Sequence, residues 1–232
     1  MSRRKILLLK CLVWVGCLAP LGRLVFRALT DRLTANPIEF ITLSTGTWTL
    51  IFLLVTLSIT PLRRLTGQAW LIRFRRLIGL FAFFYGFLHF MTYICLDKFF
   101  DLADMVKDVI KRPFITAGFV AFLLLIPLAA TSTAGAIHKL GGSRWRLLHR
   151  AIYVSAVLAV IHFWWKVKAD TQQPRIYAAI LAILLLYRVA VWLVRRARSI
   201  RSAPEVPAST DMEHDRGTGS QRIVPFNQKP RP

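Results

Sequence analysis

The chain has 232 residues, 55% of them hydrophobic, and carries 32 Lys and Arg against 11 Asp and Glu, a formal net charge of +21. This is too apolar for a water-soluble domain of its size, so the composition indicates an integral membrane protein. The basic excess raises nucleic acid as a partner, and its distribution argues against one, because the cations fall in alternate loops between apolar runs.

Six mainly apolar windows, about 6–28, 41–60, 77–96, 114–134, 147–165 and 175–194, are each long enough to cross a hydrocarbon core of about 30 Å. The expected fold is an all-α integral membrane protein, a bundle of six transmembrane helices over residues 1–200. The first window contains Lys10 and Arg23, both near an end, from which a cation reaches the headgroups. It begins like a signal peptide, but its apolar stretch is long and no A-x-A-like site follows, so it reads as retained. Cys11, Cys17 and Cys95 form no CxxC or CxxCH, which disfavours covalent heme attachment or a thiolate cluster and leaves them as small buried hydrophobes.

One set of alternate loops, with Arg3, Arg63, Arg64, Arg73, Arg75, Arg76, Arg144, Arg146 and Arg195 among its cations, has almost no acid. The other mixes Lys98, Lys107, Lys111 and Arg112 with Asp97, Asp101, Asp104 and Asp108. Cytoplasmic loops are enriched in Lys and Arg, so both termini are expected on the cytoplasmic side of an inner membrane, with anionic lipid as a secondary partner.

The loop DKFFDLADMVKDVIKRP, residues 97–113, spaces its apolar residues as a short amphipathic helix on the outer surface, closed by Pro113. Its four aspartates are either partner contacts or solvated loop charge. Thr131, Ser132 and Thr133 are placed to bond locally at a helix end. Trp145, Trp164 and Trp165 flank the fifth window as interface anchors. Residues 201–232 are rich in Pro, Ser, Gly and mixed charge and are expected to be a disordered cytoplasmic tail. Neither GxGxxG nor a GKS/GKT loop is present, so nucleotide chemistry belongs to another polypeptide.

The histidines carry the functional signal. His214 falls in the tail and His138 in an exposed inner loop, whereas His89, His149 and His162 lie in apolar windows, where an imidazole still needs its donor and acceptor satisfied. His89 and His162 stand at similar distances beyond Arg76 and Arg150 on windows that run in the same direction. At 1.5 Å per residue they share a depth, in the outer half of the bilayer. Two imidazoles at one level on neighbouring helices meet the needs of a b-type heme held edge-on between them, with Phe87, Phe90, Phe163 and Trp164 as apolar wall. Each histidine bonding to a hydroxyl or carbonyl of another helix is the competing reading. His149 lies about 20 Å along the same helix from His162, roughly 140° around it, and cannot reach the same iron. Its proposed place is a second centre near the inner face.

The segments RRLIGL at 75–80, LHF at 88–90, KRPF at 111–114, TST at 131–133, LGGSRWRLLHRAIY at 140–153 and IHFWWKVK at 161–168 resemble the MsrQ family of heme-binding membrane subunits and, more distantly, the ferric-reductase-like transmembrane domain. The resemblance covers about residues 35–195. It implies a six-helix inner-membrane electron carrier with heme b and FMN. Electrons would come from quinol or a cytoplasmic flavin reductase and pass to a periplasmic molybdopterin-containing methionine sulfoxide reductase. The family's heme histidines match His89, His149 and His162, and its basic pair matches Arg75 and Arg76. The broader ferric-reductase pattern has two histidines on each of two helices. Here Arg75 and Arg76 stand where the third window would carry its second imidazole. His149 therefore binds heme with another partner, contacts flavin or quinone, or shares an inner site whose other ligand is unidentified. Arg75 and Arg76 either hold an FMN phosphate or heme propionate, or simply mark the inner rim and bind lipid headgroups.

Two rivals remain. A transporter would carry charged groups at the bilayer midplane, and none is expected there. A stand-alone ferric or quinone reductase would act on a small acceptor without a protein partner.

Overall fold

The computed structural model describes residues 3–167 and 171–201, and the chain separates into two units, Met1–Leu193 and Val194–Pro232. The expected tail lies outside the described residues, apart from Arg201 at the end of a helix; so does His214. Nine α-helices are described: α1 (Arg3–Leu29), α2 (Pro37–Thr66), α3 (Ile72–Thr92), α4 (Leu102–Lys111), α5 (Pro113–Ala130), α6 (Ala134–Leu140), α7 (Gly142–Leu148), α8 (Ala151–Lys166) and α9 (Gln172–Arg201). No strand occurs among the described residues. Six stretches are long and apolar enough to cross a membrane: Arg4–Leu29, Pro37–Thr66, Ala69–Asp97, Pro113–Ala130, Gly142–Lys166 and Gln172–Arg198. They coincide with the six expected windows.

Local chemistry sets the boundaries. Asn36 caps α2 by accepting from the Glu39 amide at 3.2 Å, Pro37 starts the helix, and Gly67 ends it at φ +69°, a conformation glycine adopts without steric cost. Asp101 caps α4 from the Asp104 amide at 3.0 Å, and Pro113 opens α5. Thr131 and Ser132 bond back to Pro127 and Leu128 carbonyls, while Thr133 caps α6, as their sequence pattern suggested.

Helix α2 packs along α3, α5 packs along α8, and the two pairs meet through α3 with α5 and α2 with α8. Ala82, Leu57 and Ala156 at the centre are fully buried. Within lipid, association rests on close packing, so small residues such as Ala82, Ala117, Ala121 and Ala156 let the backbones approach.

Pro20, Pro61 and Pro127 interrupt helical ladders, and at the first two side chains of other helices occupy or repair the break. Pro61 has no N–H for the Leu57 carbonyl; Arg188 of α9 donates to that carbonyl through Nη2 at 2.6 Å. Arg188 also donates through Nε to the Tyr153 hydroxyl at 3.2 Å. Beside Pro20 in α1, the Tyr85 hydroxyl accepts from the Leu21 amide at 3.0 Å and donates to the Cys17 carbonyl at 2.8 Å, inserting itself into the helix. Lipid offers an unsatisfied carbonyl no partner, which gives these two side chains a structural role. Arg188 is thus a cation inside a span, towards its arginine-rich end, whose guanidinium is taken up by these bonds.

The fifth span is also not one helix. It divides at His149 and Arg150, so the rotation of His149 relative to His162 does not follow from a continuous 100° step. Helix α4 forms as expected; of the four aspartates Asp97 and Asp101 are exposed, as solvated charge would be, whereas Asp108 is buried. Lys98 Nζ lies 2.5 Å from Asp104 and 2.6 Å from Asp108, whose side chain is only 8% exposed and also pairs with Arg112 Nε at 3.2 Å. Among the cysteines Cys17 is buried, whereas Cys11 is exposed.

Candidate functional site

His89 on α3 and His162 on α8 come together with ring centroids 6.0 Å apart and planes at 74°. Each is held from behind in the same way. The His89 Nδ1 lies 2.9 Å from the Thr42 carbonyl of α2, and the His162 Nδ1 lies 2.6 Å from the Phe114 carbonyl of α5. A carbonyl only accepts, so Nδ1 carries the proton in both rings and Nε2 keeps its lone pair.

A glycine sits one turn beyond each acceptor. A Cβ added at Gly46 would stand 3.0 Å from His89 Nδ1, and one added at Gly118 would stand 2.7 Å from His162 Nδ1. Each imidazole thus lies on glycine backbone and bonds the carbonyl four residues earlier in the same helix. The sequence reading missed Gly46, Gly118, Thr42 and Phe114. The signal lay in a glycine at the matching depth of the helix that packs on each histidine's own.

Both histidines line a cavity of about 1040 Å³ bounded by α2, α3, α4, α5 and α8. Phe90, Phe114, Phe119, Phe122 and Phe163 give it an aromatic wall, with Phe90 stacked on Phe122 at 4.8 Å. Phe90 and Phe163 match the expected wall. Phe87 and Trp164 do not line the cavity and are 42% and 39% exposed.

These residues fit a bis-imidazole heme. Metal–nitrogen bonds of about 2 Å, with about 1 Å more from nitrogen to ring centre, separate two axial imidazole centroids by about 6 Å. That is the spacing found. The cavity is at the upper end of the usual range for cofactor pockets, about 300–1,000 Å³. The donor set is two nitrogens with no third ligand, and no cluster of three metal-ligating side chains occurs among the described residues.

The other site residues lie elsewhere. His149 stacks on Trp145 with centroids 3.9 Å apart, and its Nδ1 donates to the Trp145 carbonyl at 3.1 Å. Its Nε2 is buried without a hydrogen-bond partner, a condition it shares with Thr60 Oγ1 among the described residues. Trp145 Nε1 donates to the Thr131 carbonyl at 2.9 Å, tying α7 to the end of α5. Arg75 is half-buried, within electrostatic reach of His149, Tyr153 and Arg188. Arg76 is exposed, and so is His138. The basic pair therefore divides, one guanidinium turned toward the bundle and one away from it.

Comparison with known proteins fits this arrangement. Residues 42–160 match the family model described as ferric reductase like transmembrane component, a stretch that includes His89 and His149 and ends just before His162. The protein-methionine-sulfoxide reductase heme-binding subunit MsrQ of Herminiimonas arsenicoxydans is 57% identical over 190 residues, covering 81% of this chain and 87% of the relative. The subunit of the same name from Ralstonia nicotianae is 56% identical, covering 80% and 86%, and that from Rhodospirillum rubrum is 50% identical, covering 82% and 91%. No solved structure matches the chain.

Proposed function

The chain belongs to the MsrQ family of heme-binding subunits, with a ferric-reductase-like transmembrane domain, and on that premise we propose that it carries electrons one at a time across the inner membrane to a methionine sulfoxide reductase. The observation that carries this reading is the pair His89 and His162, 6.0 Å apart, each with its Nδ1 engaged. Heme b bound there would supply a reversible one-electron carrier.

The chain's own residues set the conditions for that chemistry. The carbonyls of Thr42 and Phe114 fix the tautomer of each imidazole, hold its plane and raise the basicity of Nε2. The glycines below let the rings settle deep between the helices. The phenylalanine wall gives the site largely apolar surroundings, which would tune the potential of a redox group held there.

At the other end of the bundle, the buried lone pair of His149 and the half-buried guanidinium of Arg75 face a region with Arg188 nearby. This positive setting suits an anionic or hydrogen-bonding redox group, and we assign it to the entry side, where FMN or quinol would be accommodated. Arg75 suits a phosphate or a quinone oxygen. Exposed Arg76 is left to lipid headgroups and topology. With the basic ends of the spans inside, both termini are cytoplasmic and the α4 end faces the periplasm, where a molybdopterin-containing catalytic subunit would dock. We assign the sulfoxide chemistry to that partner and the carrier site to this chain.

The test is vectorial electron transfer in proteoliposomes. With quinol or a flavin reductase on the arginine-rich side, reduction of methionine sulfoxide should require the catalytic partner on the opposite side and should be lost in His89→Ala. Equal turnover of a small acceptor such as ferric citrate without the partner would favour a stand-alone reductase.

A further inference from the structure

The heme reading leaves open how the macrocycle is turned about the axis through its two ligands. The cavity answers this, because four charged residues line it: Glu39, Asp97, Arg112 and Lys166. All four stand near the helix ends that border α4, and the lining toward the opposite end is apolar or hydroxylic.

Heme b carries two carboxylates on one edge. Burying a carboxylate without a partner is costly, so that edge belongs at the charged end. The four residues are segregated by sign. Glu39 lies in the first turn of α2, and Asp97 ends the helical turn Tyr93–Asp97 that follows α3. Arg112 caps the start of α5, and Lys166 ends α8, the helix pair that seats His162. Arg112 is two residues before Phe114, the acceptor of the His162 proton, and Lys166 is one helical turn beyond His162.

Resting on the assignment of heme to His89 and His162, we propose that Arg112 and Lys166 clamp its two carboxylates and thereby fix the carboxylate edge at the α4 end. Arg112 is prepared for this. Its Nε is engaged by Asp108 at 3.2 Å, which leaves the two terminal nitrogens as a fork for a planar carboxylate. Asp108 is itself buried and held by Lys98 at 2.6 Å, so Lys98 and Asp108 act as positioning residues for the guanidinium. Lys166 makes no ion pair among the described residues and lies within electrostatic reach of His162. The clamp neutralises two carboxylates beside the iron and so favours the ferrous state, since an uncompensated negative charge favours the ferric one.

The experiment uses the full chain in lipid nanodiscs, reconstituted either with heme b or with its dimethyl ester, which lacks the carboxylates. Redox midpoint and the rate of heme loss to excess apomyoglobin are measured for the native chain, Arg112→Gln, Lys166→Gln and the double variant; Arg112→Lys keeps the charge and loses the fork. With heme b, the double variant should favour the ferric state by about tenfold, which is about 59 mV lower for one electron, and lose heme about tenfold faster, while the bis-imidazole spectrum persists. Arg112→Lys should keep most of the midpoint and lose heme faster. With the dimethyl ester, native and variant chains should coincide. Unchanged midpoint and loss rate with heme b would overturn the clamp, and so would equal shifts with both cofactors, which would mark a general packing defect. Failure of the native chain to take up either cofactor would overturn the heme assignment, and the clamp with it.

Discussion

His89 and His162 are related as two copies of one device: each imidazole rests on a glycine, Gly46 or Gly118, and donates from Nδ1 to the carbonyl four residues before it. Adding a methyl group at either glycine forces the ring to move, and the closer approach, 2.7 Å at Gly118 against 3.0 Å at Gly46, sets the order of effect. Overpacking of this kind costs about 1–3 kcal/mol, or about 5- to 150-fold in an equilibrium. Heme per protein should fall in Gly118→Ala, less in Gly46→Ala, and not in Gly16→Ala, where an added Cβ meets nothing within 4 Å. Pyridine hemochrome assay of the purified variants checks the order.

The link between Arg188 and Pro61 makes a prediction about epistasis. Replacing Arg188 by Met leaves the Leu57 carbonyl unpaired and should destabilise the bundle by about 1–3 kcal/mol. Adding Pro61→Ala supplies the missing N–H within α2, so the double variant should recover part of the loss. Thermal unfolding of the four proteins in one detergent measures the coupling; strict additivity would deny it.

The cluster under α4 sets a pH window. Hydrogen bonds from Lys98 to Asp104 and then Asp108 hold the ammonium above the ordinary lysine value of 10.5, and the bond to Lys98 holds the Asp104 carboxyl below its ordinary 3.8. A raised basic group stabilises fully below its unfolded pKa and loses the contribution as pH rises through the folded value. A depressed acid stabilises above its unfolded pKa and loses the contribution as pH falls through the folded value. The cluster should thus hold α4 evenly between about pH 5 and pH 9. Limited proteolysis within residues 97–113 should be flat across that interval, rise toward either extreme, and be faster throughout in Lys98→Met.

His149 separates the two ends of the proposed path. It touches neither His89 nor His162 and stacks on Trp145 instead. His149→Ala should keep the heme content and spectrum of the His89 and His162 site while slowing reduction by quinol or by a flavin reductase. Stopped-flow reduction at constant heme checks this, and loss of the heme itself would place His149 among its ligands.

Much of this was legible because membrane helices impose a ruler. Six apolar windows gave the spans, and counting residues from Arg76 and Arg150 put His89 and His162 at one depth, which the 6.0 Å approach bears out. What a single helix cannot report is which neighbour lies behind it. The seats at Gly46 and Gly118 and the Tyr85 insertion into α1 depend on how helices pair, and pairing among uniformly apolar faces leaves little periodic trace. Arg188 was visible as an arginine within the sixth window, but its meaning required knowing that the Leu57 carbonyl, freed by Pro61 in the second span, stood within reach. Arg75 and Arg76 looked alike as a pair, whereas one step of about 100° around α3 turns one inward and leaves the other exposed.

Ligation of a single heme by His89 and His162 is tested most directly by optical and low-temperature paramagnetic resonance spectra of the purified full chain beside His89→Ala and His162→Ala. The native chain should show reducible b-type bands with a low-spin bis-imidazole ferric signal, and each substitution should abolish that signal while membrane insertion stays normal. Persistence of the native low-spin signal in either variant would contradict it.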